Sequence, residues 1–137
     1  MLDLAEFWSQ HSSCLRRQVG AVLYDPKTKA IISVSYNDTP MNTTNCGDGG
    51  CDLCQEAEDV KVKTALDCHC IHAEMNALLL AGRHGRKTEG AVIAVTHIPC
   101  SSCHKHLIQA GVTHVFGKLF GVKPLITEGE DFSESFS

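Results

Sequence analysis

Four side chains capable of metal or proton chemistry stand at two places in the chain: His72 and Glu74 in "IHAEMNALLL", and Cys100 and Cys103 in "HIPCSSCHKHL". The two cysteines are three residues apart, which puts them on one face of a helix. They fall in its predicted first turn, where unpaired amides and the helix dipole favour thiolates. Pro99 suits the position ahead of them, because a first-turn N–H lacks an intrahelical partner in any case. His72 begins a second predicted helix. If the two helix starts converge, one imidazole and two thiolates make three ligands and leave a fourth position for water, the pattern of a catalytic zinc. Such a site is formally neutral, whereas four thiolates would carry about −2 and leave no open position. The open, neutral site is the better Lewis acid and can lower the pKa of bound water toward ~7. Glu74, two residues past His72 on a helix, points away from the imidazole. It therefore suits carrying a proton from that water to a substrate better than it suits ligation.

The chain has eight cysteines in 137 residues. In a secreted protein that density would indicate disulfides; in a cytosolic one it indicates metal or catalysis. "MLDLAEFWSQHSS" has no basic n-region and no long apolar stretch, so a secretory signal is not expected and the expected compartment is the cytoplasm. No apolar run reaches the ~18 residues of a membrane span. A formal charge of −4 argues against a large nucleic-acid surface. Arg16–Arg17 and "RHGRK" (83–87) are small basic spots able to hold a phosphate.

The elements that must position these groups follow from periodicity. "LDLAEFWSQHSS" reads as a first helix. Val19–Tyr24 and Ala30–Tyr36 read as a hairpin closed by "DPKTK". The stretch from Asn37 to Ile71 is long, polar and Cys-rich, and a metal clip would explain how a loop of that length stays ordered. "HAEMNALLLAGRHG" is a second helix, "GAVIAVTH" (90–97) a buried strand, "PCSSCHKHLIQAG" a third helix stopped by Gly111, and "VTHVFG" a strand. "PLIT" is a candidate last strand, and "EGEDFSESFS" an acidic, frayed end. Helix–strand alternation after residue 72 implies parallel neighbours, hence an α/β fold with a mixed sheet covered by helices. The length favours one domain, 1–137, with about 121–137 as a short tail.

H-x-E followed by P-C-x-x-C is the signature of zinc nucleobase deaminases. With "HAEMNALL", "VTHIPCSSCHKHLIQAGV", "RQVGAVL" and "SYNDTP", roughly residues 10–118 resemble the dCMP deaminases of the zinc-dependent cytidine and deoxycytidylate deaminase family. The resemblance implies a cytidine-deaminase-like three-layer sandwich, with a mixed five-stranded sheet between helices. It implies hydrolysis of dCMP to dUMP and ammonia, a supply of dUMP for thymidylate synthesis, activation by dCTP, inhibition by dTTP and a homohexamer. His72, Cys100 and Cys103 match the zinc ligands and Glu74 the proton shuttle. Asn37, Ala73, Asn76 and Arg17 match substrate-binding positions, with Asn37 on the sugar. Asp38, Pro40 and Arg83 match effector or phosphate positions. Asp38 stands where the family pattern G-Y-N-G-x-P has a glycine, and an aromatic contact expected from a longer tail falls to Phe120.

Some relatives in this family also carry a structural zinc. Cys14 and Cys46 match two of its ligands, and Cys51 and Cys68 complete the preferred set of four thiolates. Cys54 and Cys70 are the substitutes, and the choice within each pair stays open, with His69 a further substitute. Simpler readings stand beside these. Cys14 could be a core thiol, Asn37 a turn residue in "YNDTP", and Arg83 a solvated helix end. His84, His97, His104, His106 and His114 read as structural or surface residues. The rival functions are deamination of another cytosine compound, deamination of adenosine in tRNA, and a non-catalytic zinc module for protein binding.

Overall fold

The computed structural model describes residues 1–14, 17–45, 48 and 70–126. Within them the order is α1 (Leu2–Ser9), β1 (Gly20–Tyr24), β2 (Ile31–Tyr36), α2 (Ala73–Arg83), β3 (Val92–Val95), α3 (Ser101–Gln109), β4 (His114–Gly117) and β5 (Gly121–Pro124). The strands form one sheet in the order β2-β1-β3-β4-β5. Only β3 and β4 are parallel, joined through α3; β1 is antiparallel to both its neighbours, and β5 is antiparallel to β4. This is a mixed five-stranded sheet with helices on both faces.

Alternation along the strands sends one set of side chains to each layer. Ala21, Leu23, Ile93, Val95 and Val115 face α2 and α3, where Ala73, Ala77, Ala81 and Leu107 meet them. Val22, Tyr24, Val92 and Ala94 face α1 and its buried Ala5. β1 and β3 are buried along their whole length because both of their faces are covered.

Two close approaches set the spacing of these layers. Gly20 lies directly under α1: a Cβ there would stand 1.9 Å from the Ala5 carbonyl oxygen. On the other face, Ala73, Ala77 and Ala81 let α2 lie low over the sheet. Two buried serines of β2 fasten it there: Ser35 Oγ donates to Ala73 O (2.6 Å) and Ser33 Oγ to Ala77 O (2.9 Å).

Several bounds differ from the sequence reading. α1 ends at Ser9 rather than running through Ser13. Ser12 is drawn away: its hydroxyl donates to Asn37 O (2.6 Å) and accepts from Cys14 N (3.2 Å), and its carbonyl accepts Gln18 Nε2 (3.1 Å). The last strand is "GVKP", not "PLIT", so part of the expected tail is sheet. Its register from Gly117–Gly121 to His114–Pro124 is set by the short turn before it, and Pro124, which cannot donate to a ladder, ends an edge strand. Leu125 then turns inward, fully buried, with its carbonyl held by Nε2 of buried His104 at 2.8 Å. Gly111, at φ +86°, closes α3 at the expected stop.

Gly20→Ala should destabilise the protein by on the order of 3 kcal/mol, because the obstacle is backbone and cannot swing aside. Gly82→Ala, in α2 with open space around it, should stabilise by about 0.5–1 kcal/mol. Urea unfolding of the two variants measures both; equal effects would overturn the packing account.

Candidate active site and metal centre

Because β1 is antiparallel to β2 on one side and to β3 on the other, β2 and β3 run in the same direction. Their carboxyl ends lie at one end of the sheet. α3 starts just beyond the end of β3, and α2 is tied to the end of β2, where Asn76 Nδ2 donates to Tyr36 O (3.1 Å). A two-residue antiparallel bridge between Asp38 and Ile71 brings the chain to the start of α2 from the same side. Both helix starts therefore sit over the carboxyl end of the sheet, where open α/β sheets carry their sites.

His72 caps α2 and Cys100 caps α3, each with extended backbone. His72 Nδ1 lies 3.5 Å from Cys100 Sγ and 3.5 Å from Cys103 Sγ. All three ligand atoms fall within 4.8 Å of one another. A tetrahedral zinc with ordinary Zn–N and Zn–S lengths requires an N···S separation of about 3.5 Å. The donor set, its spacing and its Cys₂His chemistry thus fit zinc, with Nδ1 as the nitrogen ligand.

Glu74 is on the first turn of α2 and is buried. Burial pushes its carboxyl up from the usual carboxylate range. Against this act a hydrogen bond from its own backbone amide, the charge of His72, a hydrogen bond from Cys103 and the charge of Arg17. Burial also pushes the Cys103 thiol up, aided by the Glu74 carboxylate and by Cys100. The buried Glu74 carboxyl and Cys103 thiol favour protons or a cation, and a divalent cation offsets the repulsion between their charged forms.

The other candidate residues are more dispersed. Asn37 is buried, and its side chain bonds to the backbone: Val19 N donates to Oδ1 (2.8 Å), and Nδ2 donates to Arg17 O (2.6 Å). That side chain holds the 17–19 segment at the site, with one amide hydrogen to spare. Ala73 opens α2, so its amide is among those a helix leaves without an intrahelical partner. Arg17 is exposed, and its charge reaches both Glu74 and His97. His97 is half-buried with its pKa lowered, first by burial and then by Arg17. Thr96 Oγ1 accepts from Gly20 N and lies 2.8 Å from His97 Nδ1. The sequence alone reads that histidine as structural or surface, because nothing local marks it.

Arg83 is at the opposite end of α2 from His72, bonded to Met41 Sδ, next to Pro40. The Asp38 carboxylate is occupied by the Ser13 hydroxyl and by Thr39 N (3.0 Å). Phe120 packs over Gly117. Cys14 and Cys70 are buried; Arg16, Cys46, Cys51, Cys54, Cys68 and His69 lie outside the described residues.

A three-layer α/β frame with a His-Cys-Cys centre and a buried carboxyl beside it defines a zinc-binding deaminase domain. Residues 1–118 match the cytidine and deoxycytidylate deaminase zinc-binding region, and the chain belongs to that family. It is 37% identical to deoxycytidylate deaminase of Schizosaccharomyces pombe over 83% of its own length and 34% of the relative's. The chain thus spans about a third of that yeast protein. It is 32% identical to deoxycytidylate deaminase of Enterobacteria phage T4, covering 82% of this chain and 72% of that one. Its fold matches the dCMP deaminase of cyanophage S-TIM5, solved in complex with dCMP and dUMP, with a TM-score of 0.67 and 32% identity over 85% of this chain and 76% of that one.

His72→Ala and Cys103→Ala should each weaken zinc binding more than about 100-fold, beyond what loss of a supporting partner costs. Competition with a chromophoric chelator reads the affinity. Retention of tight zinc in both would overturn the ligand assignment.

Proposed function

We propose that this chain hydrolyses dCMP to dUMP and ammonia. The observation that carries the reading is the zinc-spaced triangle of His72 Nδ1, Cys100 Sγ and Cys103 Sγ with the buried Glu74 carboxyl against it. The cyanophage relative's complex with dCMP and dUMP supplies the substrate class.

His72, Cys100 and Cys103 would hold zinc, which when bound polarises and acidifies a water. Glu74 takes the proton of the attacking water as the oxygen bonds to C4 of the cytosine. It delivers that proton to N3, and later takes the remaining proton from the new C4 hydroxyl and carries it to the exocyclic amine. The C4–N bond then breaks, ammonia leaves, and the carboxylate is restored. Burial suits Glu74 to this exchange, because a carboxyl raised toward neutrality both accepts and returns a proton. In this reading Asn37 binds the sugar through its remaining amide hydrogen, Ala73 and Asn76 also contact the substrate, and Arg17 supplies positive charge for the phosphate; the support is that Asn37 anchors the 17–19 segment and that the charge of Arg17 reaches Glu74.

The wider reading includes dCTP activation and dTTP inhibition through Asp38, Pro40 and Arg83, a homohexamer, a cytoplasmic setting, a supply of dUMP for thymidylate synthesis, and one domain over 1–137. Among the described residues, no helix is long and apolar enough to cross a membrane. A second, structural zinc on Cys14, Cys46, Cys51 and Cys68, with Cys54 and Cys70 as substitutes, belongs to the same reading. Its support is that Ser13 bonds to Asp38 and Asp38 pairs with Ile71, so the segments carrying Cys14 and Cys70 run close together.

Glu74→Gln should keep its zinc and lose about 10²- to 10⁴-fold in kcat. Ammonia release from dCMP, CMP, deoxycytidine and cytosine, with and without dCTP and dTTP, tests the substrate and the regulation. Preference for deoxycytidine over dCMP would overturn the substrate, and indifference to both triphosphates would overturn the regulation. A fully zinc-loaded wild type releasing no ammonia from any of the four would overturn the activity.

A further inference from the structure

The residue on either side of Ala73 does chemistry: His72 is a metal ligand and Glu74 the acid. The carbonyl of Ala73 itself is held from outside the helix by Ser35 Oγ at 2.6 Å, with Ser35 only 2% exposed and Ala73 fully buried. We propose that Ser35 is a positioning residue, whose hydroxyl sets the height and rotation of the first turn of α2 and thereby the aim of His72 Nδ1 and of the Glu74 carboxyl.

The geometry is that of a matched pair of ladders. Ser33 and Ser35 point to one face of β2, about 6.7 Å apart along the strand. Ala73 and Ala77 stand one helical step of four residues apart, about 6.0 Å along the axis. Two serines therefore reach two successive carbonyls on the near side of α2, Ser35 at the catalytic end and Ser33 one turn further in. A carbonyl oxygen has two lone pairs, so each accepts the serine without giving up its helical N–H. The apolar contacts of Ala73, Ala77 and Ala81 are flat and non-directional and would allow the helix to slide or roll. The hydroxyl bonds are directional. At the first turn only one intrahelical bond restrains each residue, so the Ser35 bond carries proportionately more of the aim there than the Ser33 bond does in the helix interior.

Ser33→Ala is the internal control, since it removes the same kind of buried bond from the same two elements. Both variants should lose similar thermal stability. Ser35→Ala alone should shift the d–d bands of the cobalt-substituted protein and weaken zinc binding by about 10- to 100-fold, the range for a partner one step behind a ligand. With saturating zinc it should also lower kcat on dCMP by a similar factor, with KM within about twofold. The kinetic arm rests on the deaminase reading, while the cobalt spectrum and the zinc affinity do not. An inactive wild type would thus remove that reading and leave the positioning role to be decided by the metal. If Ser35→Ala is too unstable to purify, the isosteric pair Ser35→Thr and Ser35→Val, with and without a hydroxyl, reads the same difference. Equal cobalt spectra and zinc affinities for the Ser33 and Ser35 variants, or a wild-type spectrum and affinity in Ser35→Ala, would overturn the inference.

Discussion

A catalytic cluster built from two helix starts requires both starts to come to the same end of one sheet, and β1 makes this happen. Lying antiparallel between β2 and β3, it turns those two strands to run alike. Whatever follows β2 and β3 then emerges on the same side. α2 and α3 both pack on the face that buries Leu23, Ile93 and Val95, so their first turns are neighbours as well as level. No local propensity supplies this. It is a consequence of strand order, and without it His72 and the cysteine pair would lie at opposite ends of the core.

The electrostatic cost of that arrangement is concentrated in a few atoms. Glu74 and Cys103 are both buried, burial raises the proton affinity of each, and the Glu74 carboxylate raises that of Cys103 further. Burying like groups together is unfavourable unless a cation or protons offset the charge. The first-turn amides and Arg17 soften the cost without removing it, because Arg17 itself is exposed and screened by solvent. The frame must therefore hold the cluster against its own repulsion. It does so with small residues that permit close contact and with side-chain hydrogen bonds to helix carbonyls.

The parts of the fold legible in the sequence are those whose signal is local. The two helix starts carry their ligands within three residues, Gly111 marks a stop, and the apolar runs of β1 and β3 mark central strands. The rest depends on partners far along the chain. Ser33 and Ser35 look like the polar half of an ordinary alternating strand, yet both faces of this sheet are covered, so they are buried and bonded to residues some forty positions away. α1 stops early because Ser12 is recruited by Asn37. β5 lies three residues ahead of the "PLIT" stretch that suggested it, because an exposed edge strand has no buried alternation to display. His97 gains its environment from burial and from Arg17, eighty residues away in the chain, neither of which its own segment announces.

Asn37 and Arg83 show how differently two polar side chains can be committed by the same frame. Asn37 gives most of its amide to the backbone of residues 17 and 19. That is a structural task, but it delivers Arg17 to the edge of the metal site and leaves one N–H pointing from a rigid mount. A donor already fixed in this way would lose little entropy on meeting a ligand. Arg83 is the reverse case: an exposed guanidinium at the far end of α2, some eleven residues or about 16 Å of helix from His72, resting on Met41. The positive charge at the two ends of α2 thus lies in two different regions of the surface, and only Arg17 acts on the groups beside His72.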